Sequence, residues 1–394
     1  ASATKEDVDY AVSCAQKAFE TTWKHAKPQR IAKCLNKLAN LFEKHIDEIA
    51  TLDCTDMGKP FAHMKGVDMR LCIECLHYFA GWADKHSGKT VPNYNDCFTY
   101  TKVEPFGVCG CIIPWNFPML MLIWKLAPCI ACGNVMIIKP AEQSPLSAIY
   151  LGKLVIEAGF PPGVINIVPG LGHTAGASIS SHMKIDKIAF TGSTEVGRLI
   201  MEAPAKSNLK DISLELGGKS PLIVCNDFPV KKAVAIAKTG IFFNQGEVCC
   251  ASSRIYVQSK IYDEFVKQAA AMAKKCKVGD PFDNDTFYGP QVDEDQYKKI
   301  LNYVRIGKQD GAKLCAGGKS MGKDGYYIEP TVFCDVDESM TIGREEIFGP
   351  VMSIFKFDTV KEALKRANDN EYGLAAGILT RKIDVAMHAA DELK

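Results

Sequence analysis

The chain has 394 residues, 47% of them hydrophobic and 24% charged, with a formal net charge of +1. That length exceeds what a single core serves, so two or more domains are expected, and the near-neutral balance without long runs of one sign argues against a nucleic-acid partner or an electrostatic membrane anchor. The 16 cysteines sit in a chain too long and too aliphatic for a disulfide framework, and read as thiols kept reduced and mostly buried.

The opening ASATKEDVDYAV is polar and then helical, with no signal-peptide core. The expected setting is the cytoplasm, or the mitochondrial matrix if a transit peptide has been removed. Thr4 and Asp7 have capping-box spacing ahead of a helix that places Val8, Val12, Ala15 and Phe19 on one face. Ile31, Leu35, Leu38, Phe42, Ile46 and Ile49 form a second amphipathic face, and residues 66–82 predict a third helix. The polar, alternating segment 87–105 predicts a hairpin leaving the main body, with its turn at Asn93 to Asp96.

From residue 108 short apolar runs alternate with helical stretches. The runs are 108–113, 135–138, 164–168, 187–190 and 221–225, and the helices are expected at 118–131, 145–158, 174–181 and 194–203. The most apolar stretch, Pro118 to Ile138, is broken by Lys125 and by Cys132-Gly-Asn134, which fits a buried helix and strand better than a membrane span. Strands buried on both faces and separated by helices mean a doubly wound parallel sheet, so the fold class is α/β. The second half repeats the style, with helices at 229–240, 261–275, 293–309 and 359–369 and strands at 254–258, 331–334 and 351–356. A last helix begins near Ile383 and runs into the terminal DELK, so the natural C-terminus is expected beyond it.

Five segments carry residues suited to chemistry. In FNQGEVCCASSR, Cys249 and Cys250 follow Gly246 in a loop, a position that suits a reactive thiol, although on this segment alone a buried pair is the better reading in a chain with 16 cysteines. Glu215 in LELGGKSP has apolar neighbours that would raise its pKa toward that of a general base, or it is a surface glutamate near a strand start. Asn116 in PWNFP stands at the end of the first apolar run and could donate an amide N–H to an oxyanion, or serve a turn. Lys139 and Glu142 in IKPAE could hold ribose hydroxyls, and a carboxylate there favours NAD over NADP. The FTGSTEVG segment, with Thr191 and Ser193, turns from a strand into a helix whose N–H groups could face a pyrophosphate. Gly170-Leu-Gly-His-Thr-Ala-Gly176 is one residue off the dinucleotide fingerprint and carries no assignment alone. The pairs Cys72/Cys75 and Cys129/Cys132 lie in apolar helical stretches without paired histidines, so no metal site is expected.

The order PWNFP, KPAEQSP, FTGSTEVG, ELGGKSP, FNQGEVCC, EEIFGPV resembles the NAD(P)-dependent aldehyde dehydrogenase superfamily over nearly the whole chain, including residues 289–301 and 372–378. It is most similar to the cytosolic and mitochondrial class that oxidises aliphatic aldehydes or retinal. The resemblance implies Cys249 as nucleophile, with Cys250 shaping the pocket, Glu215 as general base and Asn116 as oxyanion donor. It further implies Lys139 and Glu142 on the adenosine ribose, Thr191 and Ser193 at the pyrophosphate, Glu346 on the nicotinamide ribose, Phe348 against the nicotinamide and Trp115 in the cofactor cleft. Phe117, Met121, Trp124 and Phe243 would line the aldehyde tunnel. The implied architecture is an NAD-binding domain of residues 1–86 and 106–217, a bridging hairpin of 87–105 that joins a dimer or tetramer, and a catalytic domain of 218–394 that lacks its C-terminal part. Two rivals remain within the same resemblance: a silent crystallin-like protein, which should have lost Cys249, Glu215 or Asn116, and a nonoxidative thiol acyltransferase or esterase, which has no need of Lys139 and Glu142.

Overall fold

The computed structural model describes residues 2–93, 96–322 and 324–394. Its backbone separates into two compact units, residues 1–56 with 62–215, and residues 57–61 with 216–394.

In the first unit the capping box forms: the Thr4 N–H donates to Asp7 Oδ2 at 2.9 Å and the Asp7 N–H to Thr4 Oγ1, opening α1 (Lys5–Ala18), which buries Val8, Val12 and Ala15. Phe19 is only half-buried, in a wider turn after α1. The single apolar face expected from Ile31 to Ile49 is two helices, α2 (Pro28–Lys44) and α3 (Ile46–Met57). The chain leaves helical geometry at His45 (φ −111°, ψ 24°), which breaks the stripe. One turn, α4 (Phe61–His63), leads through a wide turn into α5 (Met69–Trp82). The hairpin pairs β1 (Thr90–Val91) antiparallel with β2 (Thr99–Tyr100). Its expected turn, Asn93 to Asp96, centres on residues 94 and 95, which lie outside the described residues.

The sheet of this unit is built from β3 (Val108–Ile112), α6 (Pro118–Ala131), β4 (Val135–Lys139), α7 (Leu146–Ala158), β5 (Ile165–Ile167), α8 (Ala177–Ser181), β6 (Lys187–Thr191), α9 (Thr194–Ala205) and β7 (Asp211–Glu215). The order is β5-β4-β3-β6-β7, parallel throughout. Every residue of β3 and β4 is buried, as continuous apolar runs require. Strand β7 is a correction: Glu215 ends a strand rather than standing near the start of one. DISLE alternates exposed and half-buried positions at the sheet edge, so it lacks the apolar run that marked the others. Two carboxylates on α3 fasten the helices that follow β3 and β4. Asp53 Oδ2 accepts the Met119 N–H at 3.2 Å and Asp56 Oδ2 the Leu146 N–H at 2.9 Å, each satisfying an orphan donor at a helix start.

The second unit contains β8 (Pro221–Val224), α10 (Val230–Phe242), β9 (Arg254–Gln258), α11 (Tyr262–Lys275), α12 (Glu294–Gln309), β10 (Lys313–Ala316), β11 (Ser320–Met321), β12 (Tyr327–Ile328), β13 (Thr331–Cys334), α13 (Thr341–Arg344), β14 (Val351–Phe357), α14 (Val360–Asn368), β15 (Gly377–Leu379) and α15 (Ile383–Glu392). The sheet order is β10-β13-β14-β9-β8-β15, parallel except for β10. Alternate residues feed two cores. Val224, Ile255, Val257 and Met352 join Phe265 and Phe242 on one face, and Ile223, Tyr256 and Phe355 join Ile300 and Phe333 on the other. Each such side chain contributes about 1.5–3 kcal/mol on leaving water. The short strands β10, β11, β12 and β15 are additions to the sequence reading. Helix α15 closes at Glu392, where the Leu393 N–H caps the Ala389 carbonyl, so the last residues lie outside it. Among the described residues no helix is long and apolar enough to cross a membrane.

Candidate active site

In the first unit the chain runs from β3 through α6 to β4 on one side and later returns to β6 on the other. The winding therefore reverses between β3 and β6, and ligands of open α/β sheets lie off the carboxyl ends at such a point. The residues singled out in this half fall at those ends. Trp115, Asn116 and Phe117 follow β3, with Asn116 buried and the two aromatics half-buried. Phe117 (φ −141°, ψ 71°) breaks the backbone before Pro118 starts α6. Asp53 grips Met119, one residue further on.

Lys139 is the last residue of β4. Its buried ammonium donates to the carbonyls of Pro140 at 2.7 Å and Gly170 at 2.9 Å, and to Glu142 Oε2 at 3.1 Å. Gly170, at the head of the near-fingerprint, thus serves as an acceptor for Lys139. Burial opposes ionisation of Glu142, but the N–H groups of its own turn and of Gly172, with Lys139, outweigh it and hold the carboxylate below its ordinary value.

Thr191 ends β6 and is buried. Ser193 caps α9, its Oγ accepting the Val196 N–H at 3.3 Å, which leaves the first-turn N–H groups of Thr194 and Glu195 without intrahelical acceptors. Glu215 ends β7 and is exposed; the apolar setting expected for it is absent, because an edge strand leaves its terminal side chain in solvent.

Lys125 is a residue the sequence reading passed over as a mere interruption of the apolar run. It donates to Thr191 Oγ1 at 2.6 Å. Burial lowers its pKa, against the opposing fields of Cys111 and Glu215. A charge inside an apolar helix was the available signal. Met121 and Trp124 stand at i and i+3 on α6, and Phe117 precedes the helix at its N-cap. Trp124 is exposed and opens on a cavity of about 710 Å³ shared with Trp23, Lys125, Cys109 and Cys129.

In the second unit the singled-out residues fall at the opposite end of the sheet. The segments before β8 (Gly217–Ser220), before β9 (Gly246–Ser253) and before β14 (Glu346–Pro350) precede three neighbouring parallel strands, so they meet at the amino edge. Glycines make that meeting close. A Cβ on Gly218 would stand 2.5 Å from the Cys249 carbonyl oxygen, one on Gly217 would strike the Glu346 carboxylate, and one on Gly246 the Gly349 carbonyl. The Gly218 N–H donates to Glu346 Oε1 at 3.0 Å. Burial pushes the Glu346 carboxyl above its ordinary value, against the Gly218 N–H, Lys299 and Lys219. Lys219 is fully buried, and burial and the nearby Arg254 bring its pKa down to about 7.

Cys249 is half-buried and Cys250 exposed. The backbone before them is left-handed at Asn244 (φ 52°), Gln245 (φ 58°) and Gly246 (φ 76°), and Phe348 (φ 60°) shares that state. Such conformations cost roughly 1–3 kcal/mol for each non-glycine residue and collect where a site needs them. Phe243 is half-buried, with Lys59 Nζ 4.7 Å from its ring centroid. The described cysteines form no disulfide, and the described residues contain no group of three or more His, Cys, Asp or Glu able to hold a metal.

Comparison with known proteins bears on both units. The sequence profile of the aldehyde dehydrogenase family matches residues 1–394. The chain is similar to human retinaldehyde dehydrogenase 3, at 53% identity over 392 residues covering 99% of this chain and 77% of that protein. It is also similar to human mitochondrial aldehyde dehydrogenase, at 54% identity with 99% and 76% covered. A solved structure of aldehyde dehydrogenase from Bacillus cereus in complex with NAD+ superposes with a TM-score of 0.98 at 44% identity, covering all of this chain and 80% of that one. With the profile spanning every residue and half the sequence shared with such enzymes, this chain belongs to the aldehyde dehydrogenase family.

Proposed function

We propose that the chain oxidises an aldehyde to a carboxylic acid with NAD as hydride acceptor, using Cys249 as nucleophile. The observation that carries this reading is the packing of two glycine-bearing segments against the strained loop that carries a half-buried cysteine. A structural thiol needs none of that. Retention of Cys249, Glu215 and Asn116 speaks against a silent crystallin-like protein, and the Lys139–Glu142 pair against a nonoxidative acyltransferase.

The residues present fit the dinucleotide. The orphan N–H groups at the start of α9, beside Thr191 and Ser193, suit a pyrophosphate, and Lys139 and Glu142 suit the adenosine ribose. Glu346 would take the nicotinamide ribose, with Phe348 and Trp115 alongside the ring. A carboxylate at Glu142 repels a 2′-phosphate, which favours NAD over NADP.

Cys249 Sγ attacks the carbonyl carbon, and the alkoxide formed accepts hydrogen bonds from the Asn116 amide and the Cys249 backbone N–H. One such donor is worth about 3 kcal/mol in the transition state. When bound, the nicotinamide supplies the acceptor for the hydride that leaves this carbon. The thioester left on Cys249 is hydrolysed by water whose proton passes to Glu215, an exposed carboxylate with ready access to solvent. The balance is aldehyde, NAD+ and water giving acid, NADH and a proton, and it divides one oxidation into two easier steps.

Phe117, Met121, Trp124 and Phe243 would shape the tunnel for an aliphatic aldehyde or retinal. Residues 1–86 and 106–217 would form the cofactor domain and 218–394 the catalytic domain. The hairpin 87–105 would join subunits of a homodimer or homotetramer, a role supported by Phe98 and Tyr100, which stand 78% and 64% exposed on it. The compartment would be the cytoplasm or mitochondrial matrix. The decisive test is Cys249→Ala: NADH production from short aliphatic aldehydes and from retinal should vanish while NAD binding, followed by calorimetry, persists. Full turnover in that variant would overturn the assignment.

A further inference from the structure

The loop that carries Cys249 is left-handed at three successive residues, two of them not glycine, and such strain persists only where the surroundings hold it. Glu247, two residues before the thiol, is completely buried. Its backbone N–H donates to the Asn244 carbonyl at 2.8 Å, and Asn244 Nδ2 returns a bond to the Glu247 carbonyl at 3.2 Å, closing the loop on itself. Its carboxyl does different work. Oε1 accepts the Val292 N–H at 3.2 Å, from the segment just ahead of α12, and Oε2 lies 3.5 Å from Gln245 Nε2, which also reaches the Met57 carbonyl at 3.3 Å.

We propose that Glu247 is a positioning residue for the reaction: its carboxyl braces the left-handed loop against the backbone at Val292 and, through Gln245, at Met57, and so fixes where the Cys249 thiol stands. The inference rests on Cys249 being the nucleophile. A buried carboxyl kept in its acid form would suit the part, since it adds no charge beside the thiolate. Burial, reinforced by Asp293, pushes the Glu247 carboxyl well above the ordinary range. Glutamine has the same shape and keeps the acceptor for Val292, giving up only the long 3.5 Å acceptor for Gln245 Nε2, so it should largely substitute; methionine fills the volume without any acceptor and should not.

The experiment compares Glu247→Gln, Glu247→Met and Glu247→Ala in the NAD-dependent oxidation of a short aliphatic aldehyde. Cys249 alkylation by iodoacetamide is followed in parallel by mass spectrometry. Glu247→Gln is expected within about threefold of wild type in kcat and in alkylation rate. Glu247→Met and Glu247→Ala are expected to lose about thirtyfold or more in kcat, with a matching change in Cys249 alkylation and the KM for NAD within about threefold. If alanine does not fold, methionine decides. A methionine variant with wild-type kcat, or a glutamine variant as impaired as methionine, overturns the proposal. Cys249→Ala, assayed alongside, separates failure of the nucleophile assignment, which leaves its turnover intact, from failure of the brace.

Discussion

The carboxyl edge of the β3–β7 sheet and the amino edge of the β8–β15 sheet hold their residues by different means. At the first, side chains do the holding. Lys139 is fixed by two carbonyls and Glu142, Thr191 by Lys125, and the start of α6 by Asp53. At the second, the backbone does it, through glycines too close to their neighbours to bear a side chain and residues in a left-handed conformation. The first follows the rule that open α/β sheets present ligand sites at strand carboxyl ends. The second inverts it, because its three segments precede their strands. On the proposed assignment, the side-chain anchoring would serve the cofactor and the immobilised main chain would serve the nucleophile, since small displacements of an attacking atom are costly.

The contrast can be broken at either edge. The largest effect is expected from Asn116→Ala, which removes the proposed oxyanion donor from the carboxyl edge: kcat should fall by about a hundredfold to a thousandfold with little change in NAD affinity. A loss below tenfold in stopped-flow hydride transfer would remove Asn116 from that role. Next is Gly218→Ala at the amino edge. The new methyl meets the Cys249 carbonyl oxygen at 2.5 Å, so that backbone must shift, and kcat is expected to drop by about a hundredfold. Unchanged kinetics would show that the glycine contact does not fix the nucleophile.

The smallest effect on turnover is expected from Asp53→Asn, whose signature is in stability. Burial, aided by the fields of Asp68 and Asp56, carries the Asp53 carboxyl up to about 7, against the nearby Ser147 hydroxyl and the Met119 N–H that it accepts. The unfolded chain loses this proton near pH 4 while the folded one keeps it to about 7. Wild-type stability therefore falls as pH rises through that window, by at most about 4 kcal/mol. The melting temperature of Asp53→Asn should gain on wild type between pH 4 and 7 and hold a constant lead above it. A gap that does not vary with pH would show that Asp53 is ionised throughout.

What was legible in the sequence follows the same contrast. Strands β3 and β4 announced themselves because burial on both faces demands unbroken apolar runs. β7 did not, since an edge strand alternates, and with it went the correct setting of Glu215. The break at His45 was hidden because Ile46 and Ile49 continue the spacing of α2 across it. Lys125 could be seen as an anomaly but not explained, for its partner Thr191 lies far along the chain. The motifs pointed to Cys249 as the candidate; that Gly218 lies against its carbonyl, and Gly246 against the segment before β14, could not be read there, since sequence carries no record of which backbones touch.

The contact of Gly246 with the Gly349 carbonyl reaches beyond this molecule's mechanics. Two short stretches roughly a hundred positions apart in the chain share one van der Waals surface, and Gly246 cannot acquire a methyl group without the Gly349 backbone retreating. Any single-step mutational path away from glycine at 246 is closed unless the backbone at 349 has already withdrawn, so what the first stretch can become depends on where the second one lies.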